Sequence, residues 1–180
     1  MAHFEKTLSS ETRFEGRVFT VTVDKVELEN GRTSTREVVH HHGGACIAAL
    51  TDENEVYLVR QFRYASGRSC GSCRRQAGKR GGPLCRRQAG AGRGMRPDRR
   101  ALCDLGPVYP TVGYCSEIIY CWAATGLAPC DMHLDEDEFL TPEKVPFDKA
   151  VEMVLSGEIR DGKTVAALLK IKALRDAGKL

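Results

Sequence analysis

The stretch from Ser66 to Gly106, "SGRSCGSCRRQAGKRGGPLCRRQAGAGRGMRPDRRALCDLG", sets the tightest limit on what this chain can fold into. Between Tyr64 and Tyr109 there is no aromatic residue, no Ile and no Glu, and the one Val is Val108, while Gly and Arg dominate. A segment of that composition buries too little apolar surface to offset the entropy lost on ordering it. Its centre, "GGPLCRRQAGAGRG", makes a poor helix, because an interior Gly costs up to about 1 kcal/mol relative to Ala. The core must therefore come from the flanks, and residues 69–103 are expected to lack a fixed structure.

The flanks carry ordinary folding signals. In "FEGRVFTVTVDKVELENGRTSTREVVHHHGG", apolar and polar residues alternate on both sides of Asn30-Gly31, which predicts two strands joined by a two-residue turn. "ACIAALT" is a short, nearly continuous apolar run, as expected of a strand covered on both faces. A further strand is predicted over Glu55–Tyr64, and Arg60 and Arg63 at its end are read as sharing one face, an anion-binding edge in competition with a plain solvated strand end. Beyond the anomalous stretch, a Pro/Gly-rich loop leads to a strand over Glu117–Ala124. Two helical patterns follow, one with an apolar stripe of Phe147, Ala150, Val151 and Val154, the other with Val165, Leu168, Leu169 and Ile171 to Leu174. Asp161 is placed to cap the second helix and Gly178 to end it. The order predicts a mixed α/β (α+β) domain whose middle should supply another helix.

At 180 residues, 42% hydrophobic and 28% charged, the chain suits one globular domain. No apolar run reaches signal-peptide or membrane-spanning length, so a soluble cytoplasmic protein without membrane association is expected. The net charge of +3 hides an asymmetry: of 27 basic and 24 acidic residues, ten Arg, one Lys and one acid fall between Arg68 and Arg100, leaving 16 against 23, or −7, elsewhere. Among eight cysteines, Cys46, Cys115, Cys121 and Cys130 lie in apolar or loop contexts and read as buried free thiols. Five acids between Asp131 and Glu138 read first as a solvated face.

"REVVHHHGGACIAALTDENEVYLVRQFRY", "LGPVYPTVGYCSEIIY", "ATGLAP", "LDEDEFL" and "VEMVLSGEIRDGKTVAALLK" together resemble the ADP-ribose pyrophosphatase branch of the Nudix hydrolases, in the same order and at compatible distances. The resemblance spans residues 12 to 68 and 104 to 176. It implies a Nudix fold, a mixed β-sheet packed between helices, with residues 1–42 as an N-terminal antiparallel strand region used for homodimerisation and 43–180 as the hydrolase domain. It also implies cleavage of a nucleoside diphosphate sugar such as ADP-ribose to AMP and a sugar phosphate, with Mg²⁺ (or Mn²⁺) held by glutamates of one helix. Several carboxylates on a helical face suit a hard divalent cation that neutralises pyrophosphate and orients a water. Carried over residue by residue, Arg60 and Arg63 of "RQFRY" match phosphate-binding positions, and Glu117 of "CSE" matches a substrate-contacting acid. Glu136 and Glu138 of "DEDEF" match the loop that supplies the general base and, at Glu138, a further metal ligand; the backbone of Ala77 matches another.

The metal box, G-x5-E-x7-R-E-U-x-E-E-x-G-U with U a bulky apolar residue, is missing. It belongs between Arg68 and Asp104, and that interval contains no Glu; Gly90, Gly92, Arg93 and Gly94 stand where the helix would carry carboxylates. The genetic code suggests why. Residues 88–97, "QAGAGRGMRP", can be encoded so that reading one base later spells "RRELEEECGL", which fits the R-E-U-x-E-E-x-G-U part of the box; the same frame over Gly82 to Cys103 permits "DPFAAARRELEEECGLTAERFA", and the opposite shift over Ser69 to Arg75 permits "ELWELPA". The hypothesis is that small insertions or deletions, in the gene or in its reading, scrambled the box and restored the frame near Asp104, and codons incompatible with those reads would sink it. The chain as written is then expected to be impaired or inactive.

Two other readings compete for the stretch. Cys70-x2-Cys73 with Cys85 and Cys103 could form a four-thiolate zinc site, but the second pair is separated by 17 residues and lacks a knuckle, so zinc is disfavoured. Eleven cations would draw nucleic acid in a salt-dependent way, yet without an aromatic for base stacking such binding is non-specific. A non-catalytic nucleotide-binding or nucleic-acid-binding protein using the Arg/Gly/Cys-rich segment is thus the alternative to a hydrolase.

Overall fold

A computed structural model of the chain describes residues 3–77, 95–97, 102–129 and 139–180. Strands β1 (Lys6–Glu15), β2 (Phe19–Glu27) and β3 (Thr33–His41) form a three-stranded antiparallel sheet. The Asn30-Gly31 signal does mark the β2–β3 connection, but with a longer loop than two residues. Leu28 N–H donates to Arg32 C=O at 2.8 Å, and Gly31 closes the turn with φ +76°. This is a three-residue loop ending in a left-handed residue, and the Asn30 Oδ1 accepts from Arg32 N–H at 3.1 Å.

The main sheet runs in the order β12 (Leu140–Pro146), β5 (Glu55–Arg63), β4 (Gly44–Leu50), β10 (Ile119–Ala124), β9 (Leu102–Val108). All seven residues of β4 are buried, as its unbroken apolar run requires. Among the described strands, only β10 runs parallel to β4. Residues Pro142 and Pro146 are tolerated because β12 is an edge strand. A short pair, β8 (Met95–Pro97) with β11 (Leu127–Pro129), stands apart.

β5 stays beside β4 only at Ala49↔Tyr57 and Leu50↔Val56, then diverges. Into the gap come β6 (Arg68–Ser72), paired with the end of β5, and β7 (Arg74–Ala77), paired with the start of β4. The predicted strand to Tyr64 stops at Arg63, where a 3₁₀ turn over Tyr64–Ser66 and a left-handed Gly67 (φ +63°) reverse the chain. The expectation of disorder over 69–103 is therefore corrected for residues 69–77, and also for 95–97 and 102–103, which form strands. The physical reason is that pairing consumes backbone hydrogen bonds that an open sheet already offers, whatever the side chains. The box positions Gly90, Gly92, Arg93 and Gly94 lie outside the described residues.

Helices α1 (Phe147–Leu155) and α2 (Gly162–Asp176) cover one face of the main sheet. Phe147, 1% exposed, anchors α1; burial of such a ring contributes about 2–3 kcal/mol. Arg175 of α2 lies over that ring, 4.4 Å from its centroid, and donates to Asn54 Oδ1 at 2.5 Å. The buried stripe of α1 is Phe147, Ala150, Val151 and Met153, with Val154 only partly covered. In α2 the stripe is Thr164, Ala167, Leu168 and Ile171, whereas Leu169 is exposed and Val165 half-buried. At 100° per residue Leu169 turns a quarter-circle past Leu168, so it cannot share that face. Asp161 caps α2 as predicted, its side chain accepting from Thr164 N–H at 3.1 Å, and Gly178 follows the helix with φ +63°. The smaller cluster on the other face of the sheet centres on Ile47 and Ala124, flanked by Leu102, Trp122 and Leu127.

Candidate active site

The sheet topology gathers most of the predicted site positions at one end. Gly44 opens β4, and in register it meets Ile119, the first residue of the parallel β10, on one side and Ala77, the last residue of β7, on the other. Because β5 is antiparallel to β4, the Arg60–Arg63 end of β5 lies at this same end. Glu117, two residues ahead of Ile119, arrives there from the β9–β10 loop. Neighbouring strands are about 4.8 Å apart, so the Ala77 and Ile119 backbones are separated by about 10 Å. The chain returns to this end at Leu140, paired with Gln61; Glu136 and Glu138 lie outside the described residues.

One expectation fails on strand geometry. Arg60 and Arg63 are three apart, and side chains alternate along a strand, so they stand on opposite faces and form no common anion edge. Arg60 Nη2 lies 3.4 Å from Glu143 Oε1 of β12, with the two side chains 55% and 31% exposed. Such a surface pair contributes about 0–1 kcal/mol. Arg63 is in register with Arg68.

Glu117 is held differently. Its Oε1 is 3.4 Å from His41 Nδ1, and both side chains are mostly buried. His41 closes β3, and its N–H donates to Ser116 Oγ at 3.1 Å. Around it Val39 N–H donates to Tyr114 C=O, and Ser116 N–H donates back to Val39 C=O at 2.9 Å. The N-terminal sheet is thus stitched along the Glu117 loop. Sequence reasoning missed His41; the one available signal was its place in a His triplet running into Gly43-Gly44.

A second network fixes the approach to the box. The Thr164 hydroxyl, fully buried at the start of α2, accepts from Cys73 N–H at 2.8 Å and donates to Asp161 Oδ2 at 2.5 Å. Lys163 pairs with the other Asp161 oxygen. Cys73, the kink between β6 and β7, sits in the main core with Cys46 and Cys121, none of the three in a disulfide. The Cys46 thiol is pushed well above the usual thiol value, first by hydrogen bonding with Cys121, then with Cys73, and by burial. That placement commits Cys73 to the core. Cys103 is half-buried on β9 and free; Cys85 lies outside the described residues. Of the thiols expected to be buried, Cys46 and Cys121 are, Cys115 is half-buried, and Cys130 lies outside the described residues.

The donor set of the described residues does not suit a hard divalent cation. Among the described residues no three His, Cys, Asp or Glu side chains converge, and the interval expected to hold the box offers one carboxylate, Asp98. No helix of the described residues is long and apolar enough to cross a membrane.

Comparison with known proteins gives this arrangement a family. Residues 5–39 match the family described as "Nucleoside diphosphate sugar hydrolase N-terminal domain". The chain is 32% identical to an ADP-ribose pyrophosphatase of Bacillus subtilis, over 97% of each chain. It is 33% identical to a methanol dehydrogenase activator of Bacillus methanolicus, covering 91% of this chain and 90% of that one. An ADP-ribose pyrophosphatase of Mycobacterium tuberculosis is 29% identical, covering 96% of this chain and 85% of that one. The solved structure "Crystal structure of ADP compounds hydrolase" shares the fold, with TM-score 0.83 at 19% identity over 98% of this chain and 97% of that one. With full-length identity above 30% and the fold in common, the chain belongs to the ADP-ribose pyrophosphatase branch of the Nudix hydrolases.

Proposed function

We propose that this chain is a Nudix-type pyrophosphatase for ADP-ribose or a related nucleoside diphosphate sugar, cleaving it to AMP and a sugar phosphate, in which recognition is retained and catalysis is impaired. The observation that carries the reading is the contrast at one end of the sheet. Arg60, Arg63 and Glu117, which we read as substrate contacts, come to that end, while the interval from Arg68 to Asp104 lacks any Glu. With Mg²⁺ or Mn²⁺ as the family's cofactor, Glu138 and the Ala77 carbonyl remain as ligands and Glu136 or Glu138 as general base. These groups alone leave the cation short of carboxylates. Arg60 and Arg63, on opposite faces, would contact different parts of the substrate, each through the fork of its guanidinium.

Compensating frameshifts account for the loss. The alternative read puts Leu at position 73, an apolar residue for a site where Cys73 is fully buried; it also puts Glu at 72, where Ser72 is 2% exposed, so that carboxylate would need a partner such as a cation. The N-terminal strands would form the homodimer, since all ten β1 residues, Leu8 and Phe14 among them, are exposed. The basic segment would attract nucleic acid only non-specifically, and the protein would work in the cytoplasm.

The test compares the mass-verified protein with a repaired form in which residues 69–75 read "ELWELPA" and 82–103 read "DPFAAARRELEEECGLTAERFA". Negligible turnover of ADP-ribose with Mg²⁺ by the first, and clear turnover by the second, is the expected pair of results. Turnover by the unrepaired protein overturns the impairment; silence of both, with no ADP-ribose binding by calorimetry, overturns the substrate class.

A further inference from the structure

His41, on the last position of the N-terminal sheet, contacts a predicted substrate-contacting group, Glu117. Gly43 N–H donates to the His41 Nδ1 at 2.9 Å, and Glu117 Oε1 lies 3.4 Å from the same atom. A ring nitrogen accepts a hydrogen bond only when it carries no proton, and donates to a carboxylate only when it does. One atom cannot serve both neighbours at once. The backbones that carry these groups are held close together. Gly43 has φ +75°, and a Cβ there would come within 2.4 Å of Ile118 C=O, so the loop after β3 is fixed against the residue that follows Glu117. Gly44 N–H bonds the same Ile118 carbonyl at 3.0 Å, and Ser116 Oγ takes the His41 N–H.

We infer that His41 is a positioning residue for Glu117, with its Nδ1 alternating between the Gly43 N–H and the Glu117 carboxylate. With Nδ1–H donating, Glu117 is held against β3; with Nδ1 accepting from Gly43, the carboxylate is released to a polyol such as a ribose. The inference rests on the reading of Glu117 as a substrate contact, and it makes the N-terminal sheet part of the recognition site through one side chain. His41 does not touch the substrate in this arrangement.

A binding cycle tests it. ADP-ribose affinity is measured by calorimetry for the full-length protein and for H41A, H41N, E117Q and H41A/E117Q. Coupled neighbours differ from additivity by amounts that correspond to roughly 2-fold to 150-fold in affinity, so a loss of about tenfold is expected for H41A. Asn places an amide atom where Nδ1 stood, and H41N should return to within about twofold of the parent. In the E117Q background the H41A change should have little further effect. Equal losses in both backgrounds, or no loss at all, overturn the inference. A parent protein that binds no ADP-ribose overturns the functional reading instead, and the ¹⁵N resonance of His41 Nδ1 then decides the contact. E117Q must move that resonance toward a purely accepting nitrogen, and an unchanged resonance refutes the pairing.

Discussion

Replacing Thr164 by Val removes one oxygen from the interior and almost no volume, which makes it a clean probe of how the box-proximal segment is held. The hydroxyl is fully buried, accepts from Cys73 N–H at 2.8 Å and donates to Asp161 Oδ2 at 2.5 Å. In T164V the Cys73 N–H is left buried without its partner, at about 1–3 kcal/mol, and Asp161 loses one bond while keeping Thr164 N–H and Lys163, at about 1 kcal/mol more. The expected loss is about 2–4 kcal/mol, or about 4–16 °C in Tm for a domain of this size. T164S keeps the oxygen and gives up a methyl, and should cost about 1 kcal/mol. Urea titrations should show the midpoint falling in the order parent, T164S, T164V at constant m. Hydrogen exchange at Cys73 should accelerate in T164V and not in T164S. A T164V loss below about 1 kcal/mol, or no larger than that of T164S, would refute the reasoning, because the Cys73 amide would then be satisfied elsewhere.

Two further outcomes are expected from the β2–β3 turn, the loop after β3 and the β1–β2 pair. Gly43 and Gly31 both have positive φ, but an added Cβ at Gly43 meets Ile118 C=O at 2.4 Å and at Gly31 meets nothing within 4 Å. G31A should therefore cost only the left-handed strain of about 1–2 kcal/mol, and G43A distinctly more by urea titration; equal costs would deny the close approach of β3 to the Glu117 loop. The Asp24 carboxyl is held below its usual range first by the hydrogen bond from Ser10, at 2.5 Å across the β1–β2 pair, so its contribution is present above the ordinary carboxylate pKa and is lost as pH falls through the lowered folded value. By NMR titration S10A should raise the Asp24 pKa toward the ordinary value, and an unmoved midpoint would assign the shift to another neighbour.

Elements whose pattern repeats locally could be read from the sequence. The apolar run of β4, the turn at Asn30-Gly31 and the caps of α2 each depend on residues within a few positions of one another, and each stands where the pattern put it. Strands β6 and β7 could not be read, because "RSCGS" and "RRQA" carry no alternation; their pairing is dictated by the gap that opens when β5 leaves β4. The site was half legible. Arg60, Glu117 and Ala77 do come to one end of the sheet, but the shared face claimed for Arg60 and Arg63 ignored that three steps along a strand reverse the side chain. His41 was invisible because its partner lies on another element far along the chain, and no local spacing encodes such a contact.

The joint between β5, β6 and β7 has a consequence for how a cell would treat this protein. Proteases and chaperones sort chains by stability and by exposed apolar surface, and neither depends on catalytic carboxylates. At Ser69–Ala77 the sheet pairs through amide and carbonyl groups, which almost every residue supplies, and asks for a fitting side chain chiefly at the buried Ser72 and Cys73. Through that stretch the sheet can therefore stay paired under many different sequences, and folding surveillance has little with which to tell them apart.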